Sequence, residues 1–305
     1  MIVDQLRSRE LGDRVGRAAR LRWDGGEFDL RLELPAALAG PPEDGSPYLA
    51  ATLQLAMRLG EDLVVDAPVS AQLLRRCAEI QQVYSSWDPR LPGCEIQVSH
   101  EVRQVSRGGA AVSFFSRGVD SMYSAVCERE EPLSGLLFCD GLDTLHDERV
   151  RAEEMRLASD AAAAIGLPLT VVSTNLRTLV DQFGIDWEDY VAPGLVSVAH
   201  ALSGGLRRAV IPSTDTYATL EPCGTGPLLD PLFSTEAVRI EHDSIAPSRA
   251  AKIAWLSARR PDLLRWLKVC FFVNDHGNCG ACGKCLLTML ELDVAGTLLL
   301  AELFP

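Results

Sequence analysis

The chain has 305 residues, 47% hydrophobic and 23% charged, enough to bury a sizeable core in one large domain or two ordinary ones. Its net charge of −13 argues against a broad electrostatic footprint for nucleic acid or an anionic membrane, which needs clustered Lys and Arg. No apolar run is long enough to span a bilayer, and the charged N-terminus lacks the apolar core of a signal peptide; the expectation is a cytoplasmic protein with reduced cysteines.

In chain order, Phe28, Leu30, Leu32 and Leu34 alternate with Asp29, Arg31 and Glu33, which predicts a half-buried strand. Residues 40–47 (GPPEDGSP) form a polar connection. A helix is expected over 48–59, a short strand over 62–65, and a helix capped by Ser70 that runs to about residue 86. Pro89, Pro92 and Gly93 break the chain, and Ile96, Val98 and Val102 follow at strand spacing. Residues 1–105 thus read as a small N-terminal α+β domain, one that can recognise an acceptor, mediate a homodimer or dock a partner.

From Gly108 the rhythm changes. Apolar runs at 110–115, 133–139, 168–173, 208–211 and 237–240 alternate with helical stretches at 119–128, 147–165, 193–203 and 248–259, the last capped by Ser248. The alternation predicts a doubly wound α/β domain over 106–305, with a parallel five-stranded sheet covered on both faces.

The first of these strands leads into Ser116-Arg117-Gly118-Val119-Asp120-Ser121. Gly118 lets the backbone approach a ligand, and the N–H groups of Val119, Asp120 and Ser121 open a helix, which makes an anion site. Ser116 and Ser121 supply hydroxyls, and Asp120 supplies a carboxylate suited to a phosphate that carries Mg²⁺. The segment resembles the SGGxDS signature of PP-loop ATP pyrophosphatases, the adenine nucleotide alpha hydrolase-like superfamily. That resemblance implies ATP as a ligand, with Ser116, Gly118, Val119, Asp120 and Ser121 at phosphate or metal, cleavage between the α- and β-phosphates, and transfer of AMP to a substrate oxygen. The chain departs from the signature at Arg117, where a second glycine is expected. Arg117 either points away from the turn or adds a charge-assisted phosphate contact.

Near the C-terminus, Cys270-x8-Cys279-x2-Cys282-x2-Cys285 offers four soft thiolates, the number that fills a tetrahedral Zn²⁺ site. A closed thiolate shell leaves no position for water, so such a zinc is structural; an iron–sulfur cluster is the rival occupant. His276, between the cysteines, reads as a loop residue. Turn and cysteines in this order, followed by a leucine-rich helix at 286–292, are similar to 7-cyano-7-deazaguanine synthase and its relatives over about residues 108–295. The match fails at Cys139-Asp-Gly-Leu-Asp-Thr-Leu-His146, where that family has a Gln-Arg-His segment, and this points to a different acceptor.

Asp140, Asp143 and His146 follow the second strand and can serve as metal or acceptor ligands, or as an ordinary polar loop. Asp215 and Asp230 are expected to face inward from a lid at the phosphate edge. Arg249 opens the helix that in PP-loop relatives carries a basic residue to the phosphates; Lys252 lies one turn on. His200 reads as a structural histidine, and Cys127 and Cys139 as core. The expected activity is ATP-dependent adenylation of a carboxylate or amide oxygen of a small-molecule acceptor, with Asp120, Arg117 and Arg249 as catalytic groups. A nitrogen nucleophile then displaces AMP, with ammonia from solution or from a partner. The alternatives are sulfur transfer, with Cys127, Cys139 or Cys223 as relay candidates and a sulfur-donating partner, and nucleotide binding without catalysis.

Overall fold

The charge-dense N-terminus is strand. In the computed structural model, which describes residues 1–105, 108–142, 148–270 and 277–305, Ile2–Leu11 (β1), Arg14–Trp23 (β2) and Gly26–Pro35 (β3) form an antiparallel meander. Each connection is two residues long and carries a left-handed glycine, Gly12 at φ 73° and Gly25 at φ 97°, the backbone that such tight hairpins require. Val15, Ala19 and Leu21 are buried on one face. On the other face Arg14 Nε donates to Glu33 Oε1 at 2.6 Å and Arg20 Nε to Asp29 Oδ1 at 2.7 Å, across the strands.

The chain continues through α1 (Ser46–Leu59), β4 (Leu63–Ser70), α2 (Ala71–Trp87), β5 (Ile96–Val102), β6 (Ala110–Phe114), α3 (Val119–Val126), β7 (Gly135–Asp140) and α4 (Glu148–Ile165). Then follow β8 (Leu169–Thr174), α5 (Leu176–Gln182), α6 (Val191–Ala201), β9 (Leu206–Pro212), β10 (Arg239–Asp243), α7 (Arg249–Arg259) and α8 (Gly283–Val294). The two expected serine caps form: Ser70 Oγ accepts from Leu73 N–H at 3.1 Å and Ser248 Oγ from Ala251 N–H at 3.2 Å.

The fold is α/β with a mostly parallel sheet, but that sheet has ten strands where five were expected. They run in the order β10-β9-β6-β7-β8-β3-β2-β1-β4-β5. The extra five come from the N-terminal region: Leu32 and Glu33 of β3 pair antiparallel with Thr174 and Ser173 of β8, so the meander continues the sheet. Beyond the meander, β1–β4 and β4–β5 pair parallel, as do β6 and β7. From β6 the order runs to β7 and β8 on one side and to β9 and β10 on the other.

The chain forms two compact units, each built from several segments. The first comprises residues 1–111, 171–211 and 222–242; the second comprises 112–170, 212–221 and 243–305. The first therefore holds all of the expected N-terminal domain and also α5 and α6. In the second, α3 packs on α7 and α7 on α8. Phe115, Val119, Met122, Ile253, Leu256 and Leu292 share its core with Cys285, and Cys270, Cys279 and Cys282 lie at the margin of the same core. No helix among the described residues is long and apolar enough to cross a membrane.

Candidate functional site

The turn after β6 is held by its own hydroxyls. Ser116 N–H donates to Ser121 Oγ at 3.2 Å, and Ser121 Oγ donates to the Gly118 carbonyl at 3.1 Å. Gly118 is the N-cap of α3 (φ −66°, ψ 164°) and its carbonyl accepts from Met122 N–H at 2.8 Å. The N–H groups of Val119, Asp120 and Ser121 thus precede the intrahelical ladder, and the helix dipole adds partial positive charge there. Ser116 is exposed, so the turn reaches solvent.

The left-handed position in this turn is Arg117, at φ 62°, where the signature has a glycine. A side chain in that conformation costs roughly 1–2 kcal/mol. Arg117 is fully buried and points inward; its Nη2 donates to Glu154 of α4, and Nη1 to the Trp266 carbonyl at 3.4 Å. Lys268 Nζ stands 3.8 Å from the other Glu154 oxygen. The guanidinium is thus engaged in a buried pair with Glu154, inward of the turn, rather than free at its exposed side as a catalytic group would be.

Asp120 is the electrostatic centre. Its Oδ1 accepts from Lys252 Nζ at 2.8 Å and its Oδ2 from Arg249 Nη1 at 3.3 Å. Lys252 is fully buried and also donates to the Ser213 carbonyl, in the segment that follows β9. Asp120 therefore meets two cations at the head of α3, and Glu291, beside Arg249, is the second carboxyl of the group. The negative charge of Asp120 is thus offset by its two partners. Arg249 Nη2 donates to Thr288 Oγ1 of α8 at 3.0 Å, and its Nε lies 4.0 Å from Glu291 Oε2. Burial, the largest influence on Glu291, holds its carboxyl above the usual range, opposed by Arg249.

The second unit thus assembles Ser116, Gly118, Val119, Asp120, Ser121 and Arg249, and adds Lys252, Ser213, Thr288 and Glu291. A lysine and a threonine at amphipathic helix positions give no sequence signal of complete burial; only the packing of α7 on α3 and α8 reveals it. Asp215 is half-buried in the second unit, where its carbonyl accepts from Ser213 Oγ at 2.8 Å. Asp230 is a correction to the expected lid: it is fully buried and accepts from Thr225 Oγ1 (2.8 Å) and Gly226 N–H (2.9 Å) beside His242 Nδ1 (2.8 Å). Those partners tie its carboxylate to its own loop. Asp140 is buried against Arg151 Nε at 2.9 Å. Asp143, His146 and His276 lie outside the described residues. His200 is buried, with Nε2 2.9 Å from the Phe233 carbonyl, and burial pushes its pKa down to about 4, which suits the structural reading. Cys127 lies 3.1 Å from Arg129 Nη2.

Cys270, Cys279, Cys282 and Cys285 converge, with all four Sγ atoms within 4.8 Å of one another. Four thiolates about 2.3 Å from one tetrahedral zinc stand about 3.8 Å apart; Cys279 Sγ and Cys285 Sγ are separated by 3.8 Å, and Cys270 Sγ and Cys282 Sγ by 3.9 Å. The cluster is compatible with zinc. Sulfurs this close suit a single ion, whereas a multi-iron cluster distributes its cysteines over different metal atoms. Cys279 Sγ accepts from Ala281 N–H (3.5 Å) and Cys282 N–H (3.3 Å), which brings its pKa down to about 6. Burial pushes Cys285 up to about 12. Buried Asn278 joins the two arms: its Oδ1 accepts from Val269 N–H (2.8 Å) and Cys270 N–H (3.1 Å), and its Nδ2 donates to the Leu267 carbonyl (2.8 Å). No family model matches the chain, and neither a curated protein nor a solved structure is significantly similar to it.

Proposed function

We propose that the protein is an ATP-dependent adenylating enzyme of the PP-loop type, which binds the triphosphate at the turn of residues 116–121 and releases pyrophosphate. The observation that carries this reading is the pairing of Asp120 with both Lys252 and Arg249 at the head of α3. It joins a helix N-terminus, hydroxyls and two cations within the second unit, an arrangement that favours an anionic ligand. Arg249, with 17% side-chain exposure, is the cation best placed to follow charge onto departing pyrophosphate; Lys252 holds the carboxylate. Mg²⁺, bound with the nucleotide, supplies further neutralisation of the phosphates. Because both Asp120 oxygens already meet cations, Asp120 serves to orient Arg249 in this reading. The acceptor is a small molecule that offers a carboxylate or amide oxygen, attacked afterwards by a nitrogen nucleophile. The cysteines hold a structural zinc.

The test is ATP labelled at the α- and γ-phosphates, incubated with Mg²⁺, a metabolite extract and the purified protein. AMP and pyrophosphate are the expected products, lost in Arg249→Met. Release of ADP and phosphate, or ATP binding with no AMP under any acceptor mixture, refutes the proposal.

A further inference from the structure

The cysteine site and the phosphate turn are joined by two continuous chains of contacts inside the second unit. The first runs along α8. Cys282 is its N-cap and Cys285 lies in its first turn; Thr288 follows one turn later and Glu291 another. Thr288 is fully buried, and its hydroxyl proton is committed to the Lys284 carbonyl at 2.7 Å. That bond fixes the oxygen's lone pairs toward Arg249 Nη2, and Arg249 in turn reaches Asp120. Arg249 Nε and Glu291 Oε2 are both buried and lack hydrogen-bond partners among the described residues. At 4.0 Å, a displacement of α8 by about one ångström decides whether they pair. The second chain runs from Asn278 through the segment leading to Cys270: Lys268 N–H donates to the Arg117 carbonyl at 3.0 Å, in the turn itself.

A metal that gathers Cys282 and Cys285 fixes the first turn of α8, and a helix moves along its axis as a rigid body. We propose that the cysteine-bound metal controls the triphosphate affinity of the turn through α8, with Thr288 as the positioning residue that transmits it; this rests on the nucleotide reading above. The coupling is reciprocal: if the metal raises the affinity for ATP, ATP must raise the affinity for the metal by the same factor.

The test uses the full chain loaded with zinc, its stoichiometry measured, in wild type, Thr288→Val and Thr288→Ser. ATP with Mg²⁺ is titrated by calorimetry, and zinc retention is measured by equilibrium competition with a chromophoric chelator, with and without saturating Mg·ATP. In wild type, Mg·ATP is expected to improve zinc retention at least about fivefold, within the range of typical couplings. Thr288→Val removes the acceptor for Arg249 and weakens ATP binding about tenfold; the effect of ATP on zinc disappears, and Thr288→Ser restores both. If wild type binds ATP while zinc retention ignores the nucleotide, or if Thr288→Val keeps the coupling, the proposed control is overturned and the nucleotide reading stands. If wild type binds no ATP, both are overturned.

Discussion

Removal of the Asp120 charge is expected to destabilise the second unit by about 1–2 kcal/mol more than removal of its partner Lys252. Lys252 has 0% side-chain exposure and two oxygens within reach, Asp120 Oδ1 at 2.8 Å and the Ser213 carbonyl. Asp120→Asn leaves that ammonium buried without a counter-charge, and breaking a buried pair from one side costs about 3–5 kcal/mol. Asn still offers a carbonyl oxygen, so the lower end, about 3 kcal/mol, is expected. Lys252→Met is milder, because Asp120 keeps Arg249 at 3.3 Å and 15% of its side chain is exposed. The loss there is one donor to the Ser213 carbonyl and one to an Asp120 carboxylate that keeps Arg249, about 1–2 kcal/mol. The double variant buries neither the orphan ammonium nor the Asp120 carboxylate, so it should resemble Lys252→Met alone and depart from additivity by about 3 kcal/mol. Urea unfolding at pH 7, followed by tryptophan fluorescence, measures all four proteins; Trp255 and Trp266 pack against the core of the second unit. Equal losses for the two single variants, or an additive double variant, would refute the argument that Lys252 is the dependent partner.

Arg117→Gly removes the left-handed strain, roughly 1–2 kcal/mol, but strips the buried Glu154 of its close partner, so a net loss of about 2 kcal/mol is expected, largely recovered by Glu154→Gln in the same chain; urea midpoints decide it. Zinc affinity, measured by chelator competition, should rise at least about tenfold per pH unit between pH 6 and 8, because Cys285, pushed up to about 12 by burial, must release its proton on binding. An affinity that ignores pH would argue against thiolate ligation. In the first unit, burial raises Asp44 to about 6 and lowers His200 to about 4. Asp44 holds its proton longer folded than unfolded, so stability gains as pH falls from about 6 to about 4; His200 resists protonation when folded, so stability is lost as pH falls from about 6.5 to about 4. The two nearly cancel in wild type. Asp44→Asn should therefore expose an acid sensitivity of about 3 kcal/mol across that window relative to wild type, read from unfolding midpoints at each pH.

Elements governed by local periodicity or by a cap were legible in the sequence. The helices at Ser46–Leu59 and Ala71–Trp87 and the strand at Gly26–Pro35 follow from apolar spacing, and Ser70 and Ser248 mark helix starts. The four cysteines were legible because metal ligation imposes a spacing that chance seldom reproduces. The first two strands were not: β1 alternates charges that pair only with β2 and β3, so its pattern makes sense once the meander exists. Nor was the ten-stranded sheet, since the pairing of Leu32 with Thr174 joins segments about 140 residues apart, and no local rule specifies it. Asp230 was misread for a similar reason. A polar residue in a long loop looks available for a ligand, and its Thr225, Gly226 and His242 partners appear only when the loop closes on itself.

Arg117 carries the general point about motifs. The turn needs one residue with positive φ, and glycine meets that need at no steric cost. An arginine there is strained, and in a solvated turn nothing would offset the strain. Here the same backbone that creates the strain directs the side chain inward, where Glu154 on α4 neutralises it and the carbonyl of Arg117 receives Lys268 N–H from the arm that leads to Cys270. The departure from glycine is therefore one half of a pair whose other half lies 37 residues away. The turn it produces is tied to α4 and to the cysteine arm, where a glycine would be tied to neither by its side chain. A chain that keeps Glu154 but carries glycine at 117 would leave a buried carboxylate with only Lys268, 3.8 Å away, so the two positions are expected to change together.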